Sequence, residues 1–326
     1  MKYFYLTNHP IVDNLLVQAE KTAKLIRACS YATKRRYTQA FRRLIIYAAG
    51  TYKLQRLPNI KLKHLISYFE YLKENGRSDK YIKTEVSGTI YFLRHIQGLK
   101  QQIPDGKTIN RMIGLESTPN GRTDRTWSKD ELENMVLLAK QHGKHAYAKC
   151  MQLIWYFGIR LDECTLTVHQ AKQALMCGVL KLTNTKGGRI RKLTINEKQK
   201  NLLKSLVRSA PPGGYLVIPE EYWVGRIHIF EKSLQQFIIK NRVFVQENDR
   251  TTKAHNVPID KRSALSLHGL RHAFASNYYK TCINQGCSTR EAKKHTALVL
   301  GHNRSSVTDI YINSINKERV QNEKTL

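Results

Sequence analysis

Acidic residues are scarce in this chain. Its 326 residues hold 25 Asp and Glu against 55 Lys and Arg, a formal net charge of +30. That balance points to a polyanionic partner, of which nucleic acid is the obvious one. No carboxylate cluster suited to Mg²⁺ is evident, so neither a metal nor a cofactor is expected. Cysteines are few: Cys29, Cys150, Cys164, Cys177, Cys282 and Cys287. None forms a C-x-x-C pair and no zinc spacing occurs. Without a secretion signal, a chain this long has little use for a disulfide framework, so the six are read as reduced, mostly buried small hydrophobes. No apolar run approaches the length that spans a bilayer, and Met1 to Asp13 carry no charged-then-apolar leader. The expectation is a soluble cytoplasmic protein associated with the nucleoid, with no membrane partner. Internal repeats and low-complexity tracts are also missing.

What is present in excess is positive charge, and both halves carry it. Residues 1–120 hold 21 Lys and Arg against 8 Asp and Glu; residues 121–326 hold 34 against 17. A basic tail on a neutral enzyme would look different. Two basic halves suit a clamp on phosphates, although a ribosome-like or heparin-like basic binder has the same composition. The length fits roughly two domains of 100–200 residues.

Helical periodicity organises the first part. Tyr37, Phe41, Leu44, Ile45 and Ala48 form an apolar stripe in a helix predicted over Ser30 to Gly50. Arg35, Arg36, Arg42 and Arg43 sit largely off that stripe. A second helix is predicted over Leu62 to Glu74, with Leu65, Ile66, Phe69 and Leu72 inward. A third runs from Ser78 as N-cap to about Gly98, with Ile82, Val86, Ile90 and Leu93 inward. Residues 1–115 thus read as a helical domain with basic outer faces. Residues 116–126, within "LESTPNGRTDRT", are rich in turn formers and read as a linker. Ser128 and Glu131 then make an S-x-x-E capping box, and a second domain spans 127–326.

In that domain an apolar helix from Tyr147 to Glu163 leads into "GIRLDEC". Residues 178–195 alternate about Lys186-Gly187-Gly188, the pattern of a β-hairpin. Helices are predicted over Leu202 to Ser209, Arg226 to Phe244, Leu267 to Thr281 and Ser288 to Leu298. The fold class is therefore mainly α with a small β-hairpin.

Certain residues carry chemistry. His268 and Arg271, at i and i+3, share one helix face that Ser266 would cap. A guanidinium beside an imidazole suits a pair of phosphoryl oxygens, although an H-x-x-R string is common on solvated faces. Arg160, after Gly158, could present a rigid fork to phosphate, or simply pair with Asp162 or Glu163; Glu163 is expected in a supporting part. Lys186 sits at the hairpin turn, where lysines are usually only solvated. His302 follows Leu300-Gly301 at an expected helix entry, and Tyr311 lies nine residues on. Singly, each is more often structural.

Taken in order, "GIRLDE", "TNTKGGRIRKLTI", "LHGLRHAFAS" and "LGHNRSSVTDIYI" resemble the motifs of the tyrosine recombinases, the phage integrase family. The resemblance covers residues 125–315 by motif, and the helical domain before it matches in kind. It implies a two-domain architecture, a helical core-binding domain plus an α+β catalytic domain, closing as a C-shaped clamp on double-stranded DNA. It also implies roles. Tyr311 is the nucleophile on a DNA phosphodiester, forming a 3′-phosphotyrosyl link. Arg160 and Arg271 are the charge-bearing cations, and His268 and His302 add donors, His268 as candidate base. Lys186 is the acid for the leaving 5′-oxygen, although Arg189, Arg191 and Lys192 are close by. Position 302 is histidine where some relatives use tryptophan. Arg35, Arg36, Arg42, Arg43, Lys80 and Lys83 become candidates for DNA contact, most of them to phosphate. Residues 312–326 would be a tail exchanged between protomers of a homotetramer on two DNA sites. Type IB topoisomerases and telomere resolvases share this tyrosine chemistry. An inactive DNA-binding regulator on the same fold is the alternative of a different class.

Overall fold

The structure, a computed structural model, describes residues 4, 6–26, 30–116, 126–185, 188, 190–245, 265–302, 305, 308 and 309. The chain divides into two compact units, 1–119 and 120–326.

The first unit is helical: α1 Pro10–Leu25, α2 Tyr31–Tyr52, α3 Leu62–Glu74, α4 Asp79–Leu93 and α5 Gly106–Met112. Their starts are set by side chains that satisfy otherwise orphaned amides. Ser30 accepts from the Thr33 amide, Ser78 from Tyr81 and Asp105 from Thr108. The expected stripes turn inward: Phe41, Leu44, Ile45, Leu65, Phe69, Ile82, Val86 and Leu93 are buried in one core, with Tyr37 and Ile66 packed at its edge. Gly88 lets α2 and α4 close up, because a Cβ there would lie 2.9 Å from the Cβ of Ala40.

Three expectations shift here. Periodicity places the first helix at Ser30, but α1 precedes it, with Val12, Leu15, Leu16, Ala19 and Ala23 buried at helical spacing. Gly50 does not end α2; the helix runs on to Tyr52 and Lys53 takes the left-handed turn at φ 50°. One glycine costs a helix only about 1 kcal/mol, less than the packing around it supplies. α4 stops at Leu93, its last inward residue, and Gly98 serves instead as a turn residue at φ 68°.

The second unit contains α6 Lys129–Gln141, α7 His145–Phe157, α8 Val168–Cys177, β1 Val179–Leu182, β2 Arg191–Thr194, α9 Glu197–Arg208, α10 Ile227–Asn241, α11 Leu267–Asn284 and α12 Thr289–Leu300. The two strands pair antiparallel, Val179 with Thr194 through Leu182 with Arg191. Ser128 and Glu131 do form the capping box, and Ser288 with Glu291 forms another at α12. The core gathers Met135, Met151, Ile154, Phe157, Leu180, Leu203, Leu234 and Leu270. Buried Trp127 donates from Nε1 to the Ser266 carbonyl at 2.8 Å, tying the entry of this unit to the start of α11.

Here too local readings are corrected. α7 ends at Phe157 rather than Glu163, because Gly158 adopts φ 58° and lies against Phe274, whose ring would be 2.2 Å from any added Cβ. Ser266 makes no side-chain cap on α11. Gly301 is a helix exit, not an entry: it closes α12 at φ 68°, and the His302 amide bonds back to Ala297. α8 was not foreseen. The five described cysteines are all free thiols: Cys150, Cys164 and Cys282 are buried, Cys287 is half-buried and Cys177 is exposed. Cys29 lies outside the described residues.

Candidate active site

The site is built around one carboxylate. Glu163 is buried on the short 3₁₀ turn after α7, two percent exposed. Its Oε1 accepts from the Arg160 guanidinium at 2.8 Å. Its Oε2 accepts from the Arg160 backbone amide at 2.7 Å and from Arg191 NH2 at 2.8 Å, and Arg271 NH1 lies 3.8 Å away. Three arginines from three elements therefore share one acid.

The arginines are further fixed by backbone carbonyls. Arg271, at the start of the second turn of α11, donates to the carbonyls of Gly158 (2.5 Å) and Leu300 (2.6 Å). Arg191, on β2, donates to the same Leu300 carbonyl at 2.8 Å. That carbonyl stands at the C-terminal end of α12, where the helix dipole attracts cations. Side-chain exposure separates the three: Arg160 is 26% exposed, Arg191 7% and Arg271 1%. Arg160 is the open edge of the cluster and the other two lie beneath it.

Excess positive charge marks the electrostatics. Burial pushes the Arg191 guanidinium down to about 10, opposed by Glu163 and reinforced by Arg271 and Arg160. His302 is pushed down to about 4, first by burial and then by Arg271, Arg160, Arg191 and His268. Near neutral pH its imidazole is uncharged and can donate one hydrogen bond and accept another. Its Nδ1 lies 3.3 Å from the Thr308 hydroxyl. His268 is exposed on the first turn of α11, with its ring edge-on to His272 at 5.0 Å. Such a group of fixed cations with neutral donors stabilises charge on non-bridging phosphate oxygens without a metal. Among the described residues no group of His, Cys, Asp or Glu is arranged to hold a metal ion.

The structure thus brings together Arg160, Arg271 and His302, with His268 at the same helix start as Arg271. Lys186 and Tyr311 lie outside the described residues, as does the 312–326 tail. Sequence reasoning treated Arg191 only as a neighbour of Lys186. A signal was available: strand alternation puts Arg191 on the same buried face as Leu193, where a charge needs a partner.

The basic residues of the first unit separate into two kinds. Arg35, Arg36 and Lys80 are exposed, with Arg36 donating to the Thr84 hydroxyl at 3.1 Å. Arg42 is half-buried. Arg43 is engaged by Glu85 through two bonds of 2.6 and 2.9 Å, and half-buried Lys83 donates to the Glu116 carbonyl.

No curated protein matches the chain by sequence. Solved structures do match in fold. The Tn1549 transposon integrase in complex with transposon right-end DNA is similar with a TM-score of 0.58 at 14% identity, over 93% of this chain and 97% of that one. A lambda integrase dimer bound to a COC′ core site gives 0.59 at 15%, over 94% and 77%. A lambda integrase tetramer bound to a Holliday junction gives 0.58 at 15%, over 91% and 75%. The model of the phage integrase family matches residues 125–318, the stretch that holds the arginine cluster and all four motifs. More than half the chain is covered by that match, and the chain belongs to the phage integrase family, the tyrosine recombinases.

Proposed function

We propose that the protein is a site-specific DNA recombinase whose strand-exchange chemistry runs through Tyr311. The observation that supports this reading is the cluster of Arg160, Arg191, Arg271 and neutral His302 about Glu163, which among the described residues sets three guanidiniums against one buried carboxylate. A phosphodiester supplies the missing negative charge. Its oxygens meet Arg160 first, with Arg271 fixed a layer below and neutral His302 as a donor.

In the proposed step the Tyr311 oxygen attacks phosphorus and the bond from phosphorus to the 5′-oxygen breaks. The tyrosine proton passes to His268, and Lys186 gives a proton to the departing 5′-oxygen. A tyrosine hydroxyl near pKa 10 needs such a base and the surrounding cations. The product is a 3′-phosphotyrosyl link and a free 5′-hydroxyl. A 5′-hydroxyl from another duplex reverses the step, and a Holliday junction joins the two exchanges. Phosphodiester energy is conserved, so no nucleotide cofactor is required.

Residues 1–115 act in this reading as the core-binding domain and 127–326 as the catalytic domain, joined by 116–126 and gripping one duplex as a clamp. Exposed Arg35, Arg36 and Lys80 contact phosphates, with Arg42, Arg43 and Lys83 contributing less directly. Residues 312–326 are exchanged between protomers in a homotetramer on two sites, working at cytoplasmic, nucleoid DNA. Among the described residues no helix is long and apolar enough to cross a membrane.

The test uses nicked duplexes selected from a randomised library by binding to the protein. The wild-type chain is expected to form a covalent complex that survives denaturing electrophoresis, and Tyr311→Phe none. A wild-type chain that binds these duplexes and never becomes covalently attached overturns the reading.

A further inference from the structure

Arg191 belongs to no role assigned above, yet it is buried in the middle of the cluster. Its side chain is only 7% exposed, and burying a guanidinium is unfavourable unless good geometry offsets the lost hydration. Two bonds repay part: NH1 to the Leu300 carbonyl at 2.8 Å and NH2 to Glu163 Oε2 at 2.8 Å. The Nε has no partner among the described residues. The stem lies against Gly301, where a Cβ would come within 3.0 Å of the Arg191 Cδ. Arg191 also opens β2, paired with Leu182 at the last rung of the ladder.

These contacts define a frame. The Leu300 carbonyl takes a guanidinium from Arg191 and another from Arg271, so the end of α12 anchors both. From that anchor Arg191 reaches the carboxylate oxygen that also receives the Arg160 amide, while the other oxygen takes the Arg160 guanidinium. Rotation of the Glu163 carboxylate would release Arg160 from both bonds, and the Arg191 bond opposes that rotation.

We propose that Arg191 is a positioning residue: anchored on Leu300, it holds Glu163 in the orientation that aims Arg160 at the scissile phosphate. This rests on the recombinase reading. It does not require Arg191 to touch DNA.

The experiment is a double-mutant cycle on single-turnover covalent-complex formation, using the selected nicked duplexes. Misaiming a charge by about 1 Å costs on the order of 100-fold in rate, so Arg191→Ala is expected to slow the step by about that factor. Duplex affinity should stay within about threefold, because the open contact surface is intact. In an Arg160→Lys background, where the aimed fork is already lost, Arg191→Ala should cost less than about threefold, since groups acting as one unit are not additive. Arg191→Lys keeps a charge for Glu163 and cannot span both partners, so it should fall between. Equal slowing in both backgrounds overturns the proposal, as does a wild-type rate for Arg191→Ala. Should the alanine variant fail to fold, a wild-type rate for Arg191→Lys overturns it equally. Absence of a wild-type covalent complex sinks the recombinase reading with it; wild-type cleavage with an additive cycle sinks this proposal alone.

Discussion

Each unit of the chain buries a glutamate against arginine, and the two sites behave differently. In the first unit Glu85 is two percent exposed and meets one guanidinium, Arg43, plus the Tyr68 hydroxyl at 3.0 Å. The pair closes on itself: Glu85 raises the Arg43 pKa, and burial, then Glu85, raises that of Tyr68, so both keep their protons. In the second unit Glu163 meets Arg160, Arg191 and Arg271. One acid faces three bases there, and burial, reinforced by the neighbouring cations, lowers the pKa of Arg191 and of His302. A buried ion pair by itself is a structural device. An imbalance held in place by backbone carbonyls is a seat for an anion.

The comparison can be broken most directly at the two carboxylates. Glu163→Gln leaves buried Arg191 and Arg271 and half-buried Arg160 without their counterion and should cost about 3–5 kcal/mol. Glu85→Gln should cost only about 1–2 kcal/mol, since Arg43 is 40% exposed and can rehydrate. Trp127, Trp155 and Trp223 all lie in residues 120–326, so tryptophan fluorescence in a urea titration reads that unit, and far-ultraviolet circular dichroism reads both. Equal losses would show that charge imbalance is irrelevant.

Next in size is the arginine itself. Arg160→Lys should slow single-turnover cleavage by about 100-fold, the usual cost of one preorganised donor. Arg43→Lys should leave that rate unchanged. A comparable effect from both would place Arg43 in the chemistry.

A smaller effect concerns pH. The folded His302 pKa, about 4, lies below the unfolded value near 6.5, so between these the unfolded chain binds more protons. Stability therefore falls as pH drops from 6.5 towards 4 and is unaffected by this group above 6.5. Thermal midpoints measured across that window should decline less steeply for His302→Gln than for wild type. Parallel profiles would mean that neither burial nor the surrounding cations lower the His302 pKa.

The smallest effect separates the basic residues of α2. Arg35→Ala and Arg36→Ala should each reduce the slope of log affinity against log salt by about one. Arg43→Ala should change that slope less and lower the unfolding midpoint more, because its fork is committed to Glu85. A full unit of slope from Arg43 would show that it leaves Glu85 for phosphate.

Much of this was legible along the chain. The stripe of Phe41, Leu44 and Ile45, the Ser128–Glu131 capping box and the strands about Lys186 all depend on neighbours a few residues apart, which periodicity reports. Glu163 could be suspected as a partner of Arg160 because three residues separate them. The failures were local as well: α1 was passed over despite a regular apolar spacing, and Gly301 closes a helix rather than opening one. Glycine after an apolar run suits either a cap or a turn, and only backbone geometry distinguishes the two.

The sequence alone determined the helical character of both units, the hairpin, the excess of cation and the four motifs that mark the family. Tertiary structure decided which cations share an acid. Arg191 reaches Glu163 across 28 residues and Leu300 across 109, and Arg271 reaches Gly158 across 113. No period spans such separations. They close because α7, β2, α11 and α12 bury their apolar faces, which carries Arg191 and Arg271 inward, where a charge needs the Glu163 carboxylate and the Gly158 and Leu300 carbonyls.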